Sequence, residues 1–100
     1  MTDNTVPICR ASVRYGDENI RVVVVRDTHG PLSAYVAQGL DRDIASQGST
    51  VKEALRRLAV TATIDSKTHK ELGIEIPAAP SFVHEWYAQA EEVATPKEGT

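Results

Sequence analysis

The sequence predicts an α/β (α+β) domain: a three- to four-stranded, mainly antiparallel sheet, one long helix packed on one face, and a short C-terminal helix. Three observations carry this. The first half is made of short apolar runs with a two-residue period, broken by turn residues. Thr50 followed by Glu53 marks a helix start, and the apolar residues after it recur at helical spacing. Near the end, "SFVHEWYAQAEEV" is a second helical pattern.

Taken in order, residues 1–6 are polar and expected to be disordered. "ICRASVRY" alternates, with Cys9, Ala11, Val13 and Tyr15 on one face and Arg10, Ser12 and Arg14 on a wet one. "GDEN" is a turn. "IRVVVVRD" is β-branched and too short for a typical helix. Its Val22 and Val24 face one way, and Val23 and Val25 the other. A strand apolar on both faces needs cover on both sides, from this chain or from another. "THGP" turns, "LSAYVAQGL" returns as a strand, and "IASQG" is a short last strand.

At the joint with the helix, Gly48 allows a sharp approach. The Thr50 hydroxyl can accept from the Glu53 backbone N–H while Glu53 reaches back. Val51, Ala54, Leu55, Leu58 and Ala62 form the apolar stripe, with Lys52, Arg56 and Arg57 turned outward. The helix is predicted to run to about Lys70, with Gly73 as its stop. "IEIPAAP" is extended, and Ser81 is the expected N-cap of the second helix. Residues 7–93 form a single domain in this reading, and 94–100 a disordered tail.

The chain has 100 residues, a net charge of -3, 41% hydrophobic and 25% charged residues. That is an ordinary composition for one small domain with a marginal core. The acidic balance argues against direct nucleic-acid binding and suits a basic protein partner. No apolar run is long enough to span a membrane and no signal peptide is recognised, so a cytoplasmic location is expected. Cys9 is the lone cysteine, and its alternating context predicts an inert, buried thiol.

No catalytic, metal or cofactor chemistry is expected. His29, His69 and His84 lack a second ligand at metal spacing. Asp27, Asp41, Asp43 and Glu53 lie near strand ends or the helix start, where paired carboxylates could hold magnesium. Asp41 and Asp43 are also ordinary turn residues, and Glu53 is committed to the cap. Gly48, Thr50, Glu53, Ala54 and Leu55 therefore read as a scaffold. Function must then lie on surfaces, with Val23, Val25, Phe82, Trp86 and Tyr87 as candidate partner or oligomer contacts. For Trp86 and Tyr87 the alternative is packing over the chain's own sheet.

The segments "AYVAQGL" (34–40) and "ASQGSTVKEAL" (45–55), in this order and spacing, resemble the HicB-like antitoxin domain family. Its members carry a strand ending like Y-V-A-x-x-x, then S-Q-G-x-T-x-x-E-A-L and an amphipathic helix. The resemblance covers about residues 20–70. It implies a sheet-plus-helix fold likened to a partial RNase H-like fold. It also implies a role in binding and blocking a small, basic, RNA-cleaving toxin, and a tendency to self-associate, in line with the homo-dimer or higher oligomer that the two-faced valine run leads one to expect. Many members carry a C-terminal DNA-binding domain. This sequence departs from that pattern with a strand before residue 19 and with "PSFVHEWYAQAEE", a single acidic helix, where a DNA reader would stand. A stand-alone HicB-like oligomeric scaffold or regulator without a toxin is the alternative expectation.

Overall fold

The computed structural model describes residues 5–27 and 34–90. Four strands, β1 (Thr5–Tyr15), β2 (Glu18–Asp27), β3 (Ala34–Gly39) and β4 (Ala45–Gly48), form one antiparallel sheet in the order β1-β2-β3-β4. Two helices follow, α1 (Val51–Leu72) and α2 (Ser81–Gln89). The α+β architecture is the one the alternation and the cap predict.

Register explains the faces. Cys9, Ala11 and Val13 pair with Val24, Val22 and Ile20, and Ala37 pairs with Val24. Side chains at directly paired positions share a face. These residues, with Tyr15 and Ile44, meet Ala54, Leu58 and Ala62 of α1 in one core cluster. Val23, Val25, Leu40, Ala79, Val83 and Ala90 form a second cluster on the opposite face, under α2. Val22, Val23 and Val24 are 0% exposed and Val25 2%. At about 1.5–3 kcal/mol per buried side chain, this run is the main reason for a three-layer arrangement.

The ends of α1 are chemically specified. Thr50 is its N-cap, and Gly73 ends it in the left-handed region at φ 70°. The Ile74 N–H donates to the His69 carbonyl (2.9 Å) and the Gly73 N–H to that of Lys70 (3.3 Å), closing the last turn as a Schellman motif.

Three expectations are corrected. β1 begins at Thr5, inside the segment expected to be disordered, because Thr5, Val6 and Pro7 pair with Asp27, Arg26 and Val25. A bulge between Pro7 and Cys9 then returns Cys9 to the α1 face. Ser81 is not the N-cap of α2: Pro80 holds that position, with no side-chain cap bond, and Ser81 is already helical. Val23 and Val25 are not exposed contacts. α2 covers them within the chain, so the bare apolar face that motivates a second subunit there does not exist. The tail 94–100, the turn residues 28–31 and His29 lie outside the described residues.

Candidate functional site

α2 is nine residues long and uncapped at its start, too short to be stable alone. It is held at both ends. Before it, the Ala79 N–H donates to the Leu40 carbonyl (2.9 Å), and the Asp43 N–H to that of Pro77 (2.8 Å). After it, Arg10 Nε donates to the Ala90 carbonyl at 3.2 Å, where a cation also complements the helix dipole.

The wet face of β1 and β2 supplies the rest of this contact. The Arg10 guanidinium lies 5.0 Å from the Tyr87 ring centroid and that of Arg21 5.8 Å. Asp41 anchors Arg21, accepting from its Nη2 (2.8 Å), its Nε (3.3 Å) and its backbone N–H (2.8 Å). The guanidinium bond holds the Asp41 carboxyl below its ordinary range against a smaller opposing effect of burial, and raises Arg21 further. Tyr87 is thereby committed to this chain, and Trp86 is half-buried over the second cluster. Phe82 is the one interface candidate left open: it is 51% exposed and packs edge-on against Trp86, centroids 5.1 Å apart.

The strand-turn-helix joint is as tight as its residues imply. The Glu53 N–H donates to Thr50 Oγ1 at 3.0 Å. Glu53 Oε1 accepts from the Ser49 N–H (2.7 Å) and from the Ser49 hydroxyl (2.9 Å). It thus reaches back one residue beyond the cap itself. The bonds from Ser49, then the charge of Arg57, lower the Glu53 pKa. Ala54 is fully buried, and Leu55 is half-buried against the α1-side core.

The carboxylates are not gathered. Asp43 accepts from Gln38 Nε2 at 2.9 Å, Asp41 binds Arg21 and Glu53 binds the joint. Among the described residues no group of three or more His, Cys, Asp or Glu could hold a metal ion. His69 Nδ1 lies 2.7 Å from the Asp65 carbonyl, and His84 is exposed on α2. Cys9 is half-buried, and burial pushes its thiol pKa up, which lowers its reactivity. No helix among the described residues is long and apolar enough to cross a membrane.

Shallow grooves flank α1. One, of about 480 Å³, runs along β4 and is lined by Ser46, Gln47, Arg56, Arg57, Val60 and Thr61. Another, also of about 480 Å³, lies between the β1–β2 turn and α1, by Asp17, Thr63, Ser66 and Lys67. A third, of about 270 Å³, lies by Tyr15, Arg42 and His69. The sequence reading did not find the Arg10–Tyr87–Arg21–Asp41 cluster. Its members are far apart in the chain, and no local pattern joins them.

The chain matches no family model, no curated protein and no solved structure.

Proposed function

We propose that this chain is a HicB-like, antitoxin-type binding protein that acts in the cytoplasm and neutralises a small basic RNA-cleaving toxin by protein–protein contact. The observation that carries this reading is the joint at Gly48–Leu55. Its residues are spent on turning the chain, capping α1 and docking it on the sheet, in the order and spacing that resemble the HicB-like family. Asp41, Asp43 and Glu53, three of the carboxylates that might have formed a reactive centre, are dispersed into separate structural bonds, which favours a surface as the seat of activity. The net charge of -3 suits a basic partner by steering. Phe82, exposed beside Trp86, is the aromatic anchor such a contact would use.

The test is co-expression with a small basic protein encoded next to this chain, followed by pull-down and a growth assay. Capture of the neighbour, relief of its toxicity and loss of both in Phe82→Glu are the expected results. A neighbour that is captured equally by Phe82→Glu would move the contact elsewhere. Failure to capture any such neighbour would remove the toxin reading.

The second reading, a stand-alone oligomeric scaffold or regulator, is favoured by one observation: the outer face of α1 exposes Val60 and Ile64 one turn apart.

A further inference from the structure

We propose that the outer edge of β4 is a docking site for an extended, acidic segment of another protein, which adds to the sheet as a further strand and sets one acidic and one large apolar side chain into the groove between β4 and α1. The strand order leaves two edges, β1 and β4. At the β1 edge Pro7 has no N–H to donate, and the bulge after it interrupts the ladder. No strand among the described residues pairs with the outer edge of β4.

The backbone of that edge is open at Gln47. Arg57 Nη1, reaching from α1, donates to the Gln47 carbonyl at 3.2 Å. A strand carbonyl reached from outside the sheet points away from the neighbouring strand, and the N–H of the same residue points the same way. Gln47 therefore presents a donor and an acceptor to an incoming strand, with the acceptor held by Arg57.

The groove beside it sets what the strand must carry. Ser46 Oγ lies 3.1 Å from Thr61 Oγ1, so the Ser46 side chain is on the α1 face. A residue paired with Ser46 shares that face and meets Thr61 and Val60. Val60 is 56% exposed, and Ile64, one turn further, 59%, which makes this the apolar seat. α1 runs back along β4, with Gly48 against Glu53 and Ala54, Gln47 against Arg57, and Ser46 against Thr61. The next peptide residue on the same face therefore comes about one turn back along α1, at Arg56 and Arg57. Two strand residues span about 6.6 Å and one helical turn about 5.4 Å, so the two spacings match.

Charge selects the occupant. Arg56 makes no ion pair among the described residues, and Arg57 pairs only with Glu53. Both stand within two turns of the N-terminal, positive end of α1. A peptide carboxylate that takes the Arg57 guanidinium frees the Gln47 carbonyl for a peptide N–H, so binding the acid and pairing the strand are coupled. A second copy of this chain would bring its own Arg56 and Arg57 to the edge, and these repel. The site takes a charge opposite to that of the basic toxin proposed above, and it lies across the sheet from α2 and Phe82. Peptide docking and toxin capture are therefore separable.

A four-residue edge is a small contact, and binding is weak. The probes are two fluorescent nine-residue peptides of serine and threonine, carrying a glutamate and an isoleucine two positions apart, one in each order. At least one should bind the full chain in an anisotropy titration to millimolar protein, and binding should shift the Gln47 amide in the NMR spectrum. Lysine in place of the glutamate should abolish binding. Arg56→Glu and Val60→Lys, both at exposed positions outside the core, should each weaken it by about tenfold or more. No binding by either peptide, undiminished binding in Arg56→Glu, or an unmoved Gln47 amide would each overturn the proposal. So would a uridine oligonucleotide that binds at Arg56 where the peptides do not, or a dimer of the chain itself that is lost in Val60→Lys.

Discussion

A Cβ atom on Gly48 would lie 2.8 Å from the Ala54 backbone nitrogen and 2.9 Å from Cβ and Cγ of Glu53. Distances under 3 Å to a backbone atom leave no room for a methyl group. The last strand and the first turn of α1 are thus pressed together with glycine as the only fitting residue, and the reason is space, since the Gly48 backbone is not in the left-handed region. Gly48→Ala should destabilise the fold by about 1–3 kcal/mol, the range for overpacked positions. Urea unfolding of the two proteins measures this; an unchanged midpoint would mean that β4 and α1 part easily.

Thr50→Ala removes the side-chain acceptor for the Glu53 N–H. A loss of about 1 kcal/mol is expected. Thr50→Ser, which keeps the oxygen, should recover most of it. Equal losses in both variants would assign the effect to the methyl group rather than the cap.

Removing residues 77–100 would strip α2 and both of its pinning strands of contact from the sheet. Val23 and Val25, now 0% and 2% exposed, would be bare. The truncated chain should bind a hydrophobic dye and aggregate. A milder form of the same test is Val83→Ala at the centre of the cluster, with an expected cost of roughly 2 kcal/mol in unfolding free energy. A soluble, dye-silent truncation would show that α2 does not cover that face.

Acid should weaken the fold through two carboxylates. Asp41 and Glu53 are both held below their ordinary values, the first by the Arg21 bond and the second by the Ser49 bonds. A lowered folded-state pKa means that the unfolded chain binds protons more readily. The contribution is therefore present above the unfolded value of about 4 and is lost as pH falls through the folded value. Unfolding midpoints should be flat above about pH 5 from these two groups and decline below about pH 4. Asp41→Asn should flatten part of the decline. Both groups are partly solvated, so the effect is modest.

No magnesium-dependent nuclease activity is expected, because Asp41, Asp43 and Glu53 are each tied to a different structural partner. Labelled RNA, RNA–DNA hybrid and single-stranded DNA are the substrates to try. Cleavage that vanishes in Asp43→Asn would assign a reactive centre after all.

Local chemistry was legible in the chain itself. The alternation from Cys9 to Tyr15 set which side chains meet α1, because a strand's side-chain period is fixed at two. Thr50, Glu53 and Gly73 marked the ends of α1, because unsatisfied helix-end groups accept only a few solutions. The valine run declared two covered faces for the same periodic reason. What covers the second face was decided only by tertiary structure. α2 has no side-chain cap and just nine residues, so its place depends on bonds from Leu40, Asp43 and Arg10, contributed by distant parts of the chain. The fates of Val23, Val25 and Tyr87 followed from that placement. Thr5 and Val6 likewise became strand because β2 runs long enough to pair with them. Short-range sequence patterns report the geometry of one element; which elements meet is set by packing between residues far apart in the chain, where no local period carries the information.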